Sequence, residues 1–590
     1  MRRNTWIVAT ATSLLMATVV FTQPGRGGSQ WLTALADAQR TSWIRADDKI
    51  SVDAMSKPGF DLQWKVKLNN QPRGVGGLSQ GVSASGVTLF VPMSLVTGSS
   101  NNVYAIDNDT GFVVWQRHFD APMPAATTAC AGGITSAGTR IVRVDASATA
   151  AAPRLTFGGA GVGYRSLLGQ PGEGVPVEGR AGGPGRAAGD PGGAARGAGG
   201  RGAAPGAAAP PPGGGARGGQ QADRIPGAPP VEQGGAFGML FRPSGVSYVI
   251  SSDGMLHVVG LPSGKDIQKP APFLPANSRW TSPIAVDTTL YAATSGNCGG
   301  APGGVWAIDL DSDAKPVVSW KTSGGSAVGA VAFTSAGTLI AAIGPGQVSG
   351  NGKANAIVAL DPKTLELKDW FTQPTAEFVT GPTILTHNGK DIVAAATKDG
   401  RVILLDASAL GGANHATPLL ASKPFVGAGA TVSRDALAAW QQSAAGSSTS
   451  WILLPISGAL AAGVTATNGP AGSGSVVALK MTDTGGALSL APGWVSHNLS
   501  SPATPVIVNG VVFALSTGMP STAGGQGTPA VLHAYDGATG KRFWNSAASM
   551  TTFASPGSMW STTGQIYIGT HDGTISAFGF NDERRATTVQ

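Results

Sequence analysis

The chain has 590 residues, of which only 12% are charged, and glycine occurs 87 times. The formal net charge is +7, but the Arg and Lys residues are scattered along the chain. A charge of this size without a basic cluster does not indicate a nucleic-acid partner. So much glycine suits closely packed strands joined by many tight turns.

The N-terminus has the pattern of an export signal. Arg2 and Arg3 precede an apolar run at 7–21, which is too short for a comfortable membrane span. We predict a signal peptide at residues 1–28, cleaved between 22 and 28, and a periplasmic or secreted mature protein without a membrane span. An uncleaved signal anchor is the alternative.

The segment at 105–115 reads AIDNDTGFVVW, and nearly the same phrase, AYDGATGKRFW, recurs at 534–544. In each copy a β-rich run leads into an Asp-x-x-Thr-Gly turn, where Asp can accept from nearby backbone amides and Gly can take a positive φ. A second short strand then ends in Trp. A recurring phrase of this kind indicates one supersecondary unit used repeatedly.

Residues 158–235 have a different composition, rich in Gly, Ala, Pro and Arg, with a PPP run at 210–212. Such a segment cannot bury enough apolar surface to offset its ordering entropy, so we predict a disordered insertion. Its Arg-Gly stretches resemble segments that contact nucleic acid, but they lack interleaved aromatics and the protein is predicted to be exported. We therefore expect no nucleic-acid partner.

Degenerate copies of the repeated unit fill the remaining chain. Each has a further apolar run before it, as at 86–92 and 510–516, which gives four short strands per unit. Aligned on the Asp position, the eight units are marked by Asp107, Gly260, Asp309, Asp361, Asp406, Lys480, Asp536 and Gly579. A ring of small sheets leaves only short edges, so we predict an all-β fold, an eight-bladed β-propeller of four-stranded antiparallel blades.

The two ends of the chain indicate how the ring closes. The last unit supplies three strands, whereas FDLQWKVKL at 60–68 alternates without a unit of its own. We predict that this N-terminal strand completes the last blade; a simple lead-in strand is the alternative. The propeller then comprises 29–157 and 236–580, followed by a tail at 581–590.

The repeated phrase resembles the tryptophan-docking motif of quinoprotein alcohol dehydrogenases and related proteins with pyrroloquinoline-quinone-like repeats. The segments at 31–43 and 561–579 are similar to the first and last segments of that family. The resemblance implies that the Trp residues pack between blades and that the Asp and Thr-Gly residues hold the corners, without a catalytic role. These blade-locking positions are Asp107, Thr110, Gly111, Trp115, Asp309, Trp320, Asp361, Trp370, Asp536, Thr539, Gly540 and Trp544.

The same resemblance implies pyrroloquinoline quinone with calcium near the ring axis, but the sequence carries few signs of such a site. It has no adjacent cysteine pair, no Cys-x-x-Cys-His haem motif, and no Glu/Asn/Asp ligand set that aligns. The seven histidines share no metal-ligand spacing. Trp280 and Trp560 each begin a blade and are the candidates for an aromatic floor under a cofactor; packing between blades is the alternative.

The two cysteines, Cys130 and Cys298, fall in adjacent units of a chain predicted to be exported. A disulfide between them is one expectation, and two buried free thiols are the other.

Three functions fit these patterns. The first is a non-catalytic binding or scaffold module, monomeric, that holds a protein or small-molecule ligand on a propeller face. The second is a pyrroloquinoline quinone-dependent alcohol or sugar dehydrogenase in the periplasm. The third is a carbohydrate- or polymer-associated surface protein with the insertion as a spacer. Because the ligand and cysteine signatures are missing, we favour the first.

Overall fold

The computed structural model describes residues 30–581, apart from 75, 85–91, 128–129, 131, 135, 145–244, 297, 347–351, 374–376, 445–446 and 521–526. The predicted signal peptide and insertion lie outside the described residues, as does the predicted tail except for Asn581. The described part is built from 34 strands, with one four-residue α-helix, α1 (Val52–Met55). None of its helices has the length and apolar character needed to cross a membrane.

The strands form eight small sheets, numbered here as blades in chain order. Blade 1 contains β3 (Val82–Ser83), β4 (Met93–Gly98), β5 (Asn102–Asp107) and β6 (Val113–His118); blade 2 contains β8 (Val246–Ile250), β9 (Met255–Gly260) and β10 (Ala271–Pro272). Blade 3 contains β11 (Ile284–Val286), β12 (Thr289–Thr294), β13 (Gly304–Asp309) and β14 (Val317–Lys321); blade 4 contains β15 (Ala327–Phe333), β16 (Leu339–Ile343), β17 (Ala356–Leu360) and β18 (Leu367–Thr372).

The second half of the ring follows the same plan. Blade 5 contains β19 (Thr383–His387), β20 (Lys390–Ala396), β21 (Val402–Asp406) and β22 (Leu420–Ala421); blade 6 contains β23 (Thr431–Val432), β24 (Ala438–Ala444), β25 (Ser447–Ser457), β26 (Gly474–Thr484) and β27 (Ala487–Val495). Blade 7 contains β28 (Val506–Val508), β29 (Val511–Ser516), β30 (Val531–Asp536) and β31 (Arg542–Asn545); blade 8 contains β32 (Ala554–Thr562), β33 (Gln565–Thr570) and β34 (Thr574–Phe580).

Three further strands come from connecting segments. They are β1 (Trp43–Ile44), parallel to β28; β2 (Phe60–Lys67); and β7 (Ile141–Val142), parallel to β11. In blade 2 the inner position is supplied by a single bridge between Thr139 and Tyr248.

The eight-bladed propeller predicted from the repeats is confirmed. Each third strand contains the position on which its unit was aligned, or in blade 4 ends one residue before it. These third strands are β5, β9, β13, β17, β21, β26, β30 and β34.

The predicted ring closure is also confirmed. Strand β2 pairs antiparallel with β34, from Phe60 opposite Phe580 to Lys67 opposite Thr574. Blade 8 therefore combines the first long strand of the chain with the last, and the ring cannot open there without breaking this ladder.

Before it reaches blade 8, the chain passes once around the inside of the ring. We call residues 31–44 the axial segment, because successive residues bond to blades 1 to 7 in order. The carbonyl oxygens of the segment accept from backbone N–H groups of the blades: Trp31 from Ser83, Leu32 from Arg140, Ala38 from Phe333, Gln39 from Ile384, Thr41 from Ala439 and Ser42 from Ile507. At blade 3 the hydroxyl of Thr33 donates to Pro283 O instead. Such contacts with seven blades place the segment at the ring axis.

Arg40 anchors the axial segment although it is fully buried. Its guanidinium donates to Ala34 O (2.6 Å) within the segment, to Ser282 O (3.1 Å) before blade 3 and to Val331 O (2.8 Å) in blade 4. Burial lowers the pKa of Arg40 to about 9, with the charge of Asp37 acting in the opposite direction.

Candidate functional site

The Asp-x-x-Thr-Gly turns have the local geometry that their residue types predict. Asp107 Oδ1 accepts from the backbone N–H of Asp109 (2.8 Å) and of Thr110 (3.3 Å). Gly111 completes the turn at φ +75°, and its N–H donates to Asp107 O. Corresponding carboxylate-to-amide bonds form at Asp309, Asp361, Asp406 and Asp536. Gly540 takes φ +74°.

These turns receive a tryptophan from the preceding blade. The Nε1–H of Trp115 donates to Leu261 O in blade 2 (2.7 Å), and its ring lies so close to Gly264 that a Cβ there would be 2.6 Å away. Trp64 of β2 lies over Gly111 in the same way, and Trp494 lies over Gly540. The turn of blade 2 thus accepts a docked Trp although its unit has lost both the Asp and the Trp.

The remaining predicted tryptophans also contact the next blade. Trp544 meets Phe60 and Phe578 of blade 8 edge-on, with ring centroids 5.0 and 5.5 Å apart. Trp370 stacks on His415 of blade 5 (3.7 Å). Trp320 packs against the apolar cluster shared by blades 3 and 4. On these contacts we base the proposal that all these positions lock neighbouring blades.

The two candidates for a cofactor floor are buried. Trp560 is 1% exposed, stacks on Tyr567 (5.1 Å) and donates from Nε1 to Ser94 Oγ (3.1 Å). It covers Gly81, where a Cβ would lie 2.5 Å from the indole. Trp280 is 3% exposed, within the apolar cluster of blades 1 to 3. Neither offers an open ring face in this structure, which agrees with packing between blades.

Cys130 and Cys298 form a disulfide in the structure, with Cα atoms 5.6 Å apart. Cys130 lies in the segment leading into blade 2, and Cys298 in the loop between β12 and β13 of blade 3. The bond ties these two neighbouring blades together across 168 residues of sequence.

The inner strands of blades 4, 6 and 8 bulge where they approach the axis. In blade 6, Val432 pairs with Ile456 of β25 and Ala438 pairs with Leu453. The inner strands therefore advance six residues where β25 advances only three. Similar irregularities interrupt β15 between 328 and 332 and β32 between 554 and 559. Such bulges re-aim side chains and are common next to functional sites.

Residues from six blades converge where these bulges meet. We call them the axial cluster: Gln80, Arg279, Gly329, Gly381, Asp435 and Gly557. The N–H of Gly381 donates to Asp435 O (3.1 Å), and a Cβ at Gly557 would lie 3.7 Å from Asp435 Oδ2 and 3.9 Å from Gln80 Nε2. Because the blades of a ring meet only at its axis, the carboxyl group of Asp435 is axial.

Asp435 is the electrostatically unusual group of this cluster. Burial raises its pKa, and the charge of Arg279 offsets the rise only in part. Asp435 is half-buried, whereas Arg279 is exposed. Gln80 is bonded to the axial segment, where its Oε1 accepts from Trp31 Nε1 (3.2 Å) and from Leu35 N (3.0 Å). A carboxyl group with a perturbed pKa in such a position marks a candidate functional site.

Sequence reasoning missed Gln80, Arg279 and Asp435. Arg279 had an indirect signal, since it directly precedes Trp280 at the start of a blade. Asp435 had no such signal, because no sequence motif marks the bulge in which it lies.

Blade 2 contains a second polar array that resembles a nucleophile triad. His257 Nε2 lies 3.0 Å from Ser251 Oγ, and His257 Nδ1 lies 3.1 Å from Asp266 Oδ2. However, Ser251 is fully buried and its hydroxyl also donates to Asp253 Oδ1. Arg117 of blade 1 holds Asp266 from the other side (2.5 Å). The array therefore connects blades 1 and 2, with no access for a substrate.

The axial residues can be tested against the quinone and calcium that the resemblance implies. Ca²⁺ takes about six to eight oxygen ligands, usually including several carboxylates. Within the described ranges, no three His, Cys, Asp or Glu side chains are grouped to hold a metal ion. These residues, together with the closed ring faces of Trp280 and Trp560, therefore do not fit a bound quinone with calcium.

Comparisons with known proteins bear on the fold. No protein-family model and no curated protein matches the chain. Among solved structures it is similar to a europium-containing methanol dehydrogenase, with 12% identity, TM-score 0.51, and 94% of this chain and 98% of that chain covered. It is also similar to the quinohemoprotein alcohol dehydrogenase ADHIIG from Pseudomonas putida HK5 (12% identity, TM-score 0.50, 94% and 80% covered) and to that of Comamonas testosteroni (14%, 0.49, 93% and 80%). The chain has the eight-bladed β-propeller fold of the quinoprotein alcohol and methanol dehydrogenases.

Proposed function

We propose that this protein is an exported, monomeric propeller that acts as a non-catalytic binding or scaffold module. Its ligand, a protein or a small molecule, binds the face that carries the axial cluster. Export rests on the N-terminal pattern of Arg2, Arg3 and the apolar run at 7–21.

The observation that carries the proposal is the convergence of Arg279 and Asp435 at the axis. Concave sites with a few convergent polar groups are the usual places for ligands. Here a cation, a carboxyl group of raised pKa and the amide of Gln80 converge from different blades. Among the described residues no donor set fits calcium, and on this ground we favour binding over quinone-dependent oxidation.

The competing function is a quinone-dependent dehydrogenase of alcohols or sugars. The test adds pyrroloquinoline quinone and Ca²⁺ to the purified mature protein and measures bound quinone absorbance, thermal stability and dye reduction with alcohols and sugars. We expect no bound quinone and no stabilisation. Stoichiometric binding with a raised melting temperature and dye reduction would show that the non-catalytic proposal is wrong.

A second experiment tests the binding face directly. A photoreactive amino acid replaces Arg434, which is exposed beside Asp435, or Val317, which is 38% exposed on the outer edge of blade 3. We expect crosslinked adducts in producing cells from position 434 and not from 317. Adducts from 317 alone would place the ligand elsewhere on the ring.

A further inference from the structure

The contact between blades 6 and 7 contains two histidines, a tyrosine and an arginine, which we call the histidine seam. His497 follows β27 of blade 6, whereas His533 and Tyr535 lie on β30 and Arg542 on β31 of blade 7. The rings of His497 and His533 meet edge-on, 4.5 Å apart. Trp494 packs on Tyr535 next to them (5.7 Å), so the seam is part of the contact that joins the two blades.

The hydrogen bonds of His497 require a neutral ring. Its Nε2 lies 3.2 Å from Nη1 of Arg542, and its Nδ1 lies 2.6 Å from the hydroxyl of Tyr535. Arginine can only donate, so Nε2 must accept and the single ring proton must sit on Nδ1. A second proton on Nε2 would point an N–H at the arginine cation and break this bond.

The surroundings of His533 also oppose protonation of its ring. It is 7% exposed, and its Nδ1 is buried with no hydrogen-bond partner among the described residues. A proton at this nitrogen would bury a charge without a partner. Burial lowers the pKa of His533 to about 3, with His497 and Arg542 adding to the effect. Burial likewise lowers the pKa of His497, again with a contribution from Arg542.

The seam between blades 1 and 2 has a related arrangement with a carboxylate added. There the ring of Phe119 lies tilted against that of His257 (4.1 Å between centroids), and Asp266 accepts from both His257 and Arg117. Although burial opposes it, the hydrogen bonds from His257 and Arg117 lower the pKa of Asp266. Asp266 therefore places a carboxylate directly beside His257 in this seam.

The histidine seam has no such compensation. Tyr535 on β30 and Arg542 on β31 contact His497, and Ser496 on the segment after β27 interacts with Tyr535. Opposite His533 lie the uncharged residues Ala514 of β29 and Asn545 of β31. In the part of the chain that the structure describes, neither histidine nor Arg542 forms an ion pair with an Asp or Glu.

We propose that the histidine seam is an acid-sensitive joint of the ring, where protonation of His497 and His533 beside Arg542 separates blades 6 and 7 while the seam at His257 stays closed. In the open seam both rings contact water and take up protons near their ordinary pKa of about 6.5. The closed state therefore has its full stability relative to the open state above that pH, and this stability decreases as the pH falls below it. Each uncompensated histidine lowers the closed-to-open ratio about tenfold per pH unit in this window.

The test is hydrogen exchange of the full-length mature protein at pH 7.5 and pH 5.0, corrected for intrinsic exchange. We expect amide protection at 487–499 and 531–545 to fall at least about tenfold at pH 5.0. Protection at 113–119 and 255–260, the carboxylate-containing seam, should change much less. An equal loss at both seams, or no loss at either, would overturn the proposal.

Variants assign the effect to the named side chains. We expect His533→Leu with His497→Asn to remove most of the acid-induced loss, because neither replacement titrates. Arg542→Gln should reduce the loss, since it removes the cation that opposes protonation, and it preserves a test if the double variant fails to fold. His118→Asn is the matched control on an exposed histidine and should retain the full loss. A full loss in both the double variant and Arg542→Gln would contradict the assignment.

Discussion

Replacing Gly540 by alanine tests whether tryptophan docking locks the blades. Gly540 lies at φ +74°, and a Cβ there would stand 2.7 Å from Cγ and Cδ2 of Trp494. The indole is 1% exposed, so it has no free space into which it can retreat. It also donates from Nε1 to Gly537 O at 2.8 Å, a bond that any shift of the ring would weaken.

Gly389 provides a matched control. It has nearly the same backbone angle, φ +75°, but no atom lies within 4 Å of a Cβ placed on it. Alanine at either site carries a left-handed strain of about 1–2 kcal/mol. At Gly540 overpacking adds about 1–3 kcal/mol and the weakened hydrogen bond about 1 kcal/mol. The excess at Gly540 is therefore about 2–4 kcal/mol over the control.

The measurement is the free energy of unfolding in urea for Gly540→Ala, Gly389→Ala and the unaltered protein. Trp494→Phe keeps an aromatic ring but lacks the N–H, so we expect an intermediate loss of about 1–2 kcal/mol. Equal losses for the two glycine variants would refute the docking argument, since both carry the left-handed strain and only Gly540 lies against Trp494.

Two further predictions concern the axial segment. Arg40→Met should lower the free energy of unfolding by about 3–5 kcal/mol, because it leaves the carbonyls of Ala34, Ser282 and Val331 without this donor. Arg434→Met, on an exposed side chain, should change the free energy of unfolding by less than about 0.5 kcal/mol in the same urea assay. Equal effects of the two substitutions would contradict the anchoring role of Arg40. Sequencing of the mature N-terminus should give a first residue before Trp31, which is fully buried and donates to Gln80; a first residue after Ala36 would contradict this placement of the segment.

Much of the fold was predictable because its signals are local. A turn such as 107–111 needs Asp and Gly at fixed spacing, and a strand at 60–67 shows its alternation within a few residues. In blade 1 the second strand, β4, spans Met93–Gly98, whereas the apolar run at 86–92 lies outside the described residues except for Pro92. Its position is set by pairing with β5, where Met93 lies opposite Asp107, and this register leaves no trace in apolar content alone.

The candidate site was far less predictable. Trp280 and Trp560 were selected for their residue type and their place at the start of a blade, and both are buried in packing. Only the structure showed that Asp435 lies in the bulge between β23 and β24. The size of this bulge is set by the registers in which the two strands pair with β25.

The sequence by itself determined the number of blades, their order and the strand that closes the ring, since each repeat carries its own turn and strand pattern. Only the tertiary structure decided what lies at the axis. The axial segment is held mainly by backbone carbonyls, which every residue type provides, so no motif marks its path. The axial cluster joins residues from Gln80 to Gly557, and only closure of the whole ring brings them together.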